Sequence, residues 1–381
     1  MKVRRFLPFA ESLRSLAAIF FVVTLAGCTI GSPPPKPTPL GPNEALIGVR
    51  QIWTAKVGEV DFPLDVNVIG DTVTLAGSDG TVVALDAHNG HELWRTSVHA
   101  PIAAGVGSDG KLTAVVTARD ELVALEGGHE LWHRKLPAQT YTAPLVAGAR
   151  VFVLGADRSV SAYDGQSGRR LWIQKPPTEP LVLHQQGVLL AVDDTLVVGL
   201  SGRLLGLNPL NGNLRWEAPI ATARGSNDVE RLVDLVGPVS RVGSEICARA
   251  FQAAVGCVDA SRGATLWSKP ANGGTGLSGS EGLLFGTELD GTVLAWQRSN
   301  GQQAWSTAAL KYRGLSAPLA LGRSVVVGDR FGYVHLLSRT DGSLLTRLST
   351  DGSAVAAPPV AAGNTLVIVT RHGGVFGFQP E

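Results

Sequence analysis

The sequence predicts an all-β protein: an eight-bladed β-propeller of four-stranded antiparallel blades, closed by pairing of the N-terminal strand with the C-terminal blade. Three observations carry this reading. A motif, D-x-x-x-G-x-x-x-W, recurs at a period of about forty residues. Each copy follows two short apolar runs separated by a tight turn. The two ends of the folded part also carry complementary fragments of one repeat.

The motif is clearest at Asp164, Gly168 and Trp172, and it returns at Asp86, Gly90 and Trp94, at Asn208, Gly212 and Trp216, and at Asp259, Gly263 and Trp267. Degenerate copies keep Gly128 with Trp132, Gly301 with Trp305, and Gly342 with Thr346 in the Trp place. Trp53 stands alone, with no turn before it. An Asp or Asn opening a turn caps the backbone amides that follow, and the Gly takes a left-handed conformation. The Trp then offers a large apolar surface to a neighbouring unit.

Upstream of each copy lie two middle strands. Val73–Ala76 and Val82–Leu85 flank Ser78-Asp79-Gly80, Val151–Leu154 and Val160–Tyr163 flank Asp157-Arg158, and Val325–Val327 and Tyr333–Leu337 flank Arg330–Gly332. Before these comes a shorter run beginning with Ala143-Pro144, Ala317-Pro318 or Ala357-Pro358, with Gly237-Pro238 as a variant. Proline belongs at a strand start or an edge, which suits an innermost strand. One such sheet cannot bury both faces, so the units stack radially. The last repeat ends after three strands near Val375–Phe378, and Gln51–Lys56 supplies a fourth strand with nothing before it.

Residues 1–27 read as a signal peptide: Lys2, Arg4 and Arg5 precede an apolar core, Leu16–Leu25, that is too short to span a bilayer as a helix. Residues 28–44 read as a tether rich in proline (Pro33, Pro34, Pro35, Pro37, Pro39, Pro42). Its Pro-rich part, Ser32–Pro42, extended at about 3.1 Å per residue, reaches roughly 35 Å. The propeller is assigned to residues 45–381.

Lys plus Arg (33) nearly balance Asp plus Glu (32), which argues against nucleic acid as a partner. Cys247 and Cys257 fall in the two middle strands of one blade with the same parity. They fit a disulfide or two buried thiols, structural in either case. No metal spacing is present, no hydrolase or phosphate-loop motif occurs, and the histidines are scattered, mostly in turns, so neither catalytic residues nor a cofactor are expected.

The departures from the repeat point to function. Two adjacent connections are long: from Trp172 to the strand near Val188, and from Trp216 to the strand near Gly237. Both run from an outer to an inner strand and so emerge on the same face, as insertions at a binding face do. One contains Pro180-Leu181-Val182-Leu183-His184, and the other runs from Asn227 through Arg231 and Asp234 to Leu235. Leucine beside charge in such a loop has the character of a protein-binding patch.

This turn motif at this period resembles the quinoprotein-type propeller repeat. With Leu25-Ala26-Gly27-Cys28, which resembles a bacterial lipobox, and the proline-rich tether, the whole mature chain is similar to the BamB family of β-barrel assembly lipoproteins. The two long loops are its most specific pieces, and Val325–Tyr333 is similar as well. The resemblance implies lipidation of Cys28 and, because Thr29 rather than Asp follows, passage to the outer membrane, facing the periplasm. It implies a non-enzymatic scaffold that binds the periplasmic POTRA domains of BamA, alongside other subunits of that machinery, and aids unfolded outer-membrane proteins. The implied contacts are Leu181, Leu183, His184, Arg231 and Asp234. His184 stands where the family often has Arg, and Val236 where some members have a second Asp. The alternative is a periplasmic PQQ-dependent dehydrogenase, which needs a quinone pocket and a carboxylate-bound calcium.

Overall fold

The computed structural model describes residues 35–176, 181–222 and 232–381, and Pro37–Glu381 form one compact unit. Its strands, numbered β1 to β32 along the chain, make eight four-stranded antiparallel sheets arranged as a β-propeller. Blade 1 shows the pattern: β2 (Asn67–Ile69), β3 (Thr72–Ala76), β4 (Thr81–Asp86) and β5 (Glu92–Ser97) pair in sequence order. Blades 2 to 7 follow at residues 102–135, 145–174, 189–219, 235–270, 278–307 and 319–349. Blade 8 takes β30 (Val360–Ala362), β31 (Thr365–Val369) and β32 (Gly374–Pro380) from the C-terminal end and β1 (Val49–Lys56) from the N-terminal end. The register runs from Val49 opposite Pro380 to Lys56 opposite Gly374, so the closure expected from the two chain ends is present.

The repeat motif works between blades. Trp53 donates its indole N–H to Ala87 O (2.8 Å), Trp132 to Gly165 O (2.9 Å), Trp267 to Arg298 O (2.7 Å) and Trp305 to Arg339 O (2.8 Å). Each acceptor lies in the outer turn of the next blade. There the motif glycine leaves room for the ring: a Cβ on Gly90 would sit 2.7 Å from the Trp53 indole, and one on Gly168 2.5 Å from Trp132. Gly168 also has φ 65°, open to glycine at little cost. Asp164 builds this turn by accepting from the backbone N–H groups of Gln166 (3.2 Å) and Ser167 (2.8 Å).

Behind each indole the register partner is small: Ala84 for Trp94, Ala124 for Trp132, Ala162 for Trp172, Gly206 for Trp216, Cys257 for Trp267, Ala295 for Trp305 and Gly377 for Trp53. Thr346 instead faces Leu336. The difference has a topological cause. A Trp at 346 would dock on the outer turn of blade 8, but there β32 and β1 come from distant parts of the chain and no continuous turn joins them. The bulky Leu336 takes the volume that an indole fills elsewhere.

Two expectations change. Pro238 does not open an inner strand; it lies inside β18 (Leu235–Val242), where the register breaks between Val236 and Ser240. That break releases the ladder bond proline cannot make. The proline-rich stretch is also more than a spacer. From Pro37 it lies against blade 7, with Thr38 N bonded to Lys311 O (2.9 Å) and Leu46 N to Leu345 O (2.8 Å). Arg347 donates to Gly41 O (3.2 Å), Asn43 exchanges bonds with the Arg347 backbone, and Leu40 packs beside Phe285 and Trp305.

His335 is not one of the histidines in turns: it lies on a middle strand of blade 7. It is buried against the Asp329 carboxylate (Nε2–Oδ2 3.0 Å), which also takes Arg313 Nε at 2.7 Å. Burial pulls the His335 pKa down against the opposing pull of Asp329.

Candidate functional site

Of the residues flagged in the two long loops, Leu181, Leu183, His184 and Asp234 converge where blades 3, 4 and 5 meet. Asp234, just before blade 5, is buried. One of its carboxylate oxygens accepts from Arg158 Nη1 and the other from Leu183 N at 3.0 Å. Arg158, equally buried, also donates through Nη2 to Leu181 O. A single ion pair thus holds the 181–183 segment at two backbone atoms. Taking both charges out of water is costly, and hydrogen bonding of the remaining lone pairs offsets that cost.

Residues 184–187 are held as well. His184 packs against Tyr141 with ring centroids 4.1 Å apart and the ring planes tilted by 58°. Gln186 O accepts from Gly237 N (2.9 Å), and Gly187 N donates to Thr142 Oγ1 (3.0 Å). Gln186 Nε2 reaches Asp65 Oδ2 (2.7 Å), which belongs to the connection entering blade 1. Burial pushes the Asp65 pKa up to about 6, against the opposing hydrogen bond from Gln186. Beside this link lies a cavity of about 420 Å³ lined by Asp61, Phe62, His184, Gln186, Thr275 and Arg371.

The outward chemistry of the loop is apolar at its tip. Leu181 is 40 % exposed, Leu183 is half-buried, and His184 is exposed. Leu181, Leu183, His184 and Asp234 are therefore brought together, with Asp234 as the inward-facing support. Arg231 and Cys28 lie outside the described residues. Cys247 and Cys257 stand apart on β19 (Glu245–Ala250) and β20 (Ala254–Asp259), directly opposite in register and bonded through sulfur, with Cα atoms 4.0 Å apart.

Sequence reasoning missed Arg158, Tyr141 and Asp65. A signal for Arg158 was available. It stands in the middle-hairpin turn where blades 1 and 7 have Gly80 and Gly332, and like them it has positive φ (68°). A long side chain at a glycine position is strained and points to a specific task.

Among the described residues, the one group of three potential metal ligands in mutual reach is Glu245 with Cys247 and Cys257, and those two sulfurs are bonded to each other.

The family model described as outer membrane protein assembly factor BamB matches residues 78–307. The protein of that description from Burkholderia pseudomallei is 38 % identical over 349 residues, covering 91 % of this chain and 92 % of the relative. The crystal structure of BamB from Moraxella catarrhalis superposes with a TM-score of 0.80 at 25 % identity, over 87 % of this chain and 99 % of that one. A quinohemoprotein alcohol dehydrogenase from Comamonas testosteroni superposes with a TM-score of 0.66 at 14 % identity, over 88 % of this chain and 77 % of that one. That likeness shows the shared fold alone.

Proposed function

The chain belongs to the BamB family of outer-membrane protein assembly factors, and on that premise we propose that it is a non-enzymatic scaffold in the assembly of outer-membrane β-barrels. It docks on the periplasmic POTRA domains of BamA through the surface built by Leu181, Leu183 and His184, and Arg231 contributes to the same contact. It aids the delivery of unfolded outer-membrane proteins to that subunit. Lipid on Cys28 holds it at the outer membrane, facing the periplasm.

The observation that carries this reading is the buried Arg158–Asp234 pair, which fixes the backbone of an apolar loop tip before any partner arrives. An apolar anchor on a backbone segment already held by hydrogen bonds loses little conformational entropy on binding. Asp234 acts through the loop as a positioning residue, and the leucines make the contact.

The test is a pull-down of the periplasmic region of BamA by the full chain, with a parallel titration of PQQ and calcium. Retention of BamA without quinone binding is expected. Failure to retain it, together with saturable quinone binding and dye reduction, would contradict the scaffold and favour the dehydrogenase.

A further inference from the structure

Away from the loops of blades 3 to 5, the middle-hairpin turns of blades 6 and 7 and the connection between these blades raise a second feature on the same face of the ring. Leu289, in the blade 6 turn, is 52 % exposed, Tyr312 in the connection 37 %, and Phe331 in the blade 7 turn 38 %. Backbone bonds hold their turns in place: Leu289 N to Asn272 O (3.0 Å), Tyr312 N to Asp290 O (2.8 Å) and Arg330 N to Arg313 O (3.1 Å). These are large apolar groups held at the surface by backbone bonds rather than by burial.

Two details show that the feature is built. Tyr312 has φ 60°, a conformation that a bulky side chain rarely takes and that the surrounding bonds impose. Two guanidinium groups lie over the Phe331 ring, Arg313 at 4.8 Å and Arg330 at 5.0 Å from its centroid. Arg313 is buried and neutralised by Asp329 at 2.7 Å. Lys311 is likewise paired with Asp290 at 2.9 Å. Arg330 is different: it is exposed and, among the described residues, forms no ion pair. One unspent positive charge therefore sits over an exposed aromatic ring.

We propose that Leu289, Tyr312, Phe331 and Arg330 form a second protein-docking surface, which takes an extended acidic segment of a partner. A carboxylate of that segment pairs with Arg330 through two parallel N–H···O bonds, and a neighbouring apolar side chain rests on Phe331 and Tyr312. Exposed aromatic residues and arginine are the types that dominate binding at protein interfaces, and the charge complementarity selects an acidic partner over a basic one. The Val325–Tyr333 stretch then has a purpose beyond the blade: Asp329 orients Arg313 against the ring, and the turn lifts Phe331 and Arg330 outward. This surface is separate from the loop tip of blades 3 to 5.

The experiment is fluorescence anisotropy of the full chain with two labelled hexapeptides, one alternating glutamate with leucine and the other lysine with leucine. Saturable binding of the acidic peptide alone is expected, weakened at least tenfold by Arg330→Glu and by Phe331→Ser. Leu183→Glu should leave it unchanged. Circular dichroism checks folding, and Tyr312→Ala gives a second variant should Phe331→Ser fold poorly. Equal binding of the two peptides, or acidic-peptide binding unaffected by Arg330→Glu, would overturn the proposal.

Discussion

Asp65 shows how a single residue couples the loop to pH. A carboxyl whose pKa is higher in the fold than in the unfolded chain keeps its proton longer in the fold. Stability therefore falls as pH rises from about 4 to about 6, and the loss persists at neutral pH. With a pKa near 6, and because Asp65 keeps some solvent access, Asp65→Asn is expected to add about 1–2 kcal/mol at pH 7. It should also flatten the pH dependence in that window. Denaturant melts at pH 4 and pH 7 check both effects. Arg249 is the opposite case, a fully buried guanidinium paired with Glu288 at 2.9 Å, whose pKa burial pulls down. Gly273 is glycine because a Cβ there would collide with the Arg249 head group. Glu288→Gln leaves that charge uncompensated and is expected to cost about 3–5 kcal/mol, read by thermal unfolding.

At the scale of the strand and turn, the inter-blade contact is the unit of stability. Trp132, buried against Gly168 and bonded to Gly165 O, should cost about 3–5 kcal/mol when replaced by Ala. Ala162→Leu should cost about 1–3 kcal/mol by displacing the Trp172 indole, while Leu336 tolerates its own bulk because it faces Thr346. A series of such variants, followed by denaturant unfolding, tests the pairing of Trp with a small partner. The strands and outer turns were legible in the sequence because one motif fixes three things at once: the turn cap, the positive-φ position and the apolar plate. The clamp on the 181–183 loop was not. Arg158 and Asp234 lie 76 residues apart, and nothing local to either announces the other. Leucine in a long loop could be read as a surface, but what holds it still could not.

At the scale of the whole molecule, the ring closes by β1 alone, and the contact between blades 7 and 8 lacks the Trp-on-turn lock of the others. The 37–46 segment adds a strap across the outer edge of blade 7, where it covers backbone groups that an edge strand would otherwise leave open. Its proline content reads as a spacer, and its docking was invisible because Gly41 meets Arg347 some 306 residues away. Arg347→Ala should release the strap, detected as new protease cleavage near Gly41 with the blades still intact. The fold, its blade count and its mode of closure could all be read before any coordinates, since the period and the split repeat leave few arrangements. The partner surface could be located, but the division of labour within it needed the structure: leucines outward, Arg158 and Asp234 beneath.

The most direct measurement is the affinity of the BamA periplasmic region for the full chain by titration calorimetry, comparing wild type with Leu183→Glu. A buried charge at an apolar anchor should weaken binding by about a hundredfold or more, with circular dichroism unchanged. Equal affinity of the folded variant and the wild type would contradict the assignment of this loop as the docking surface.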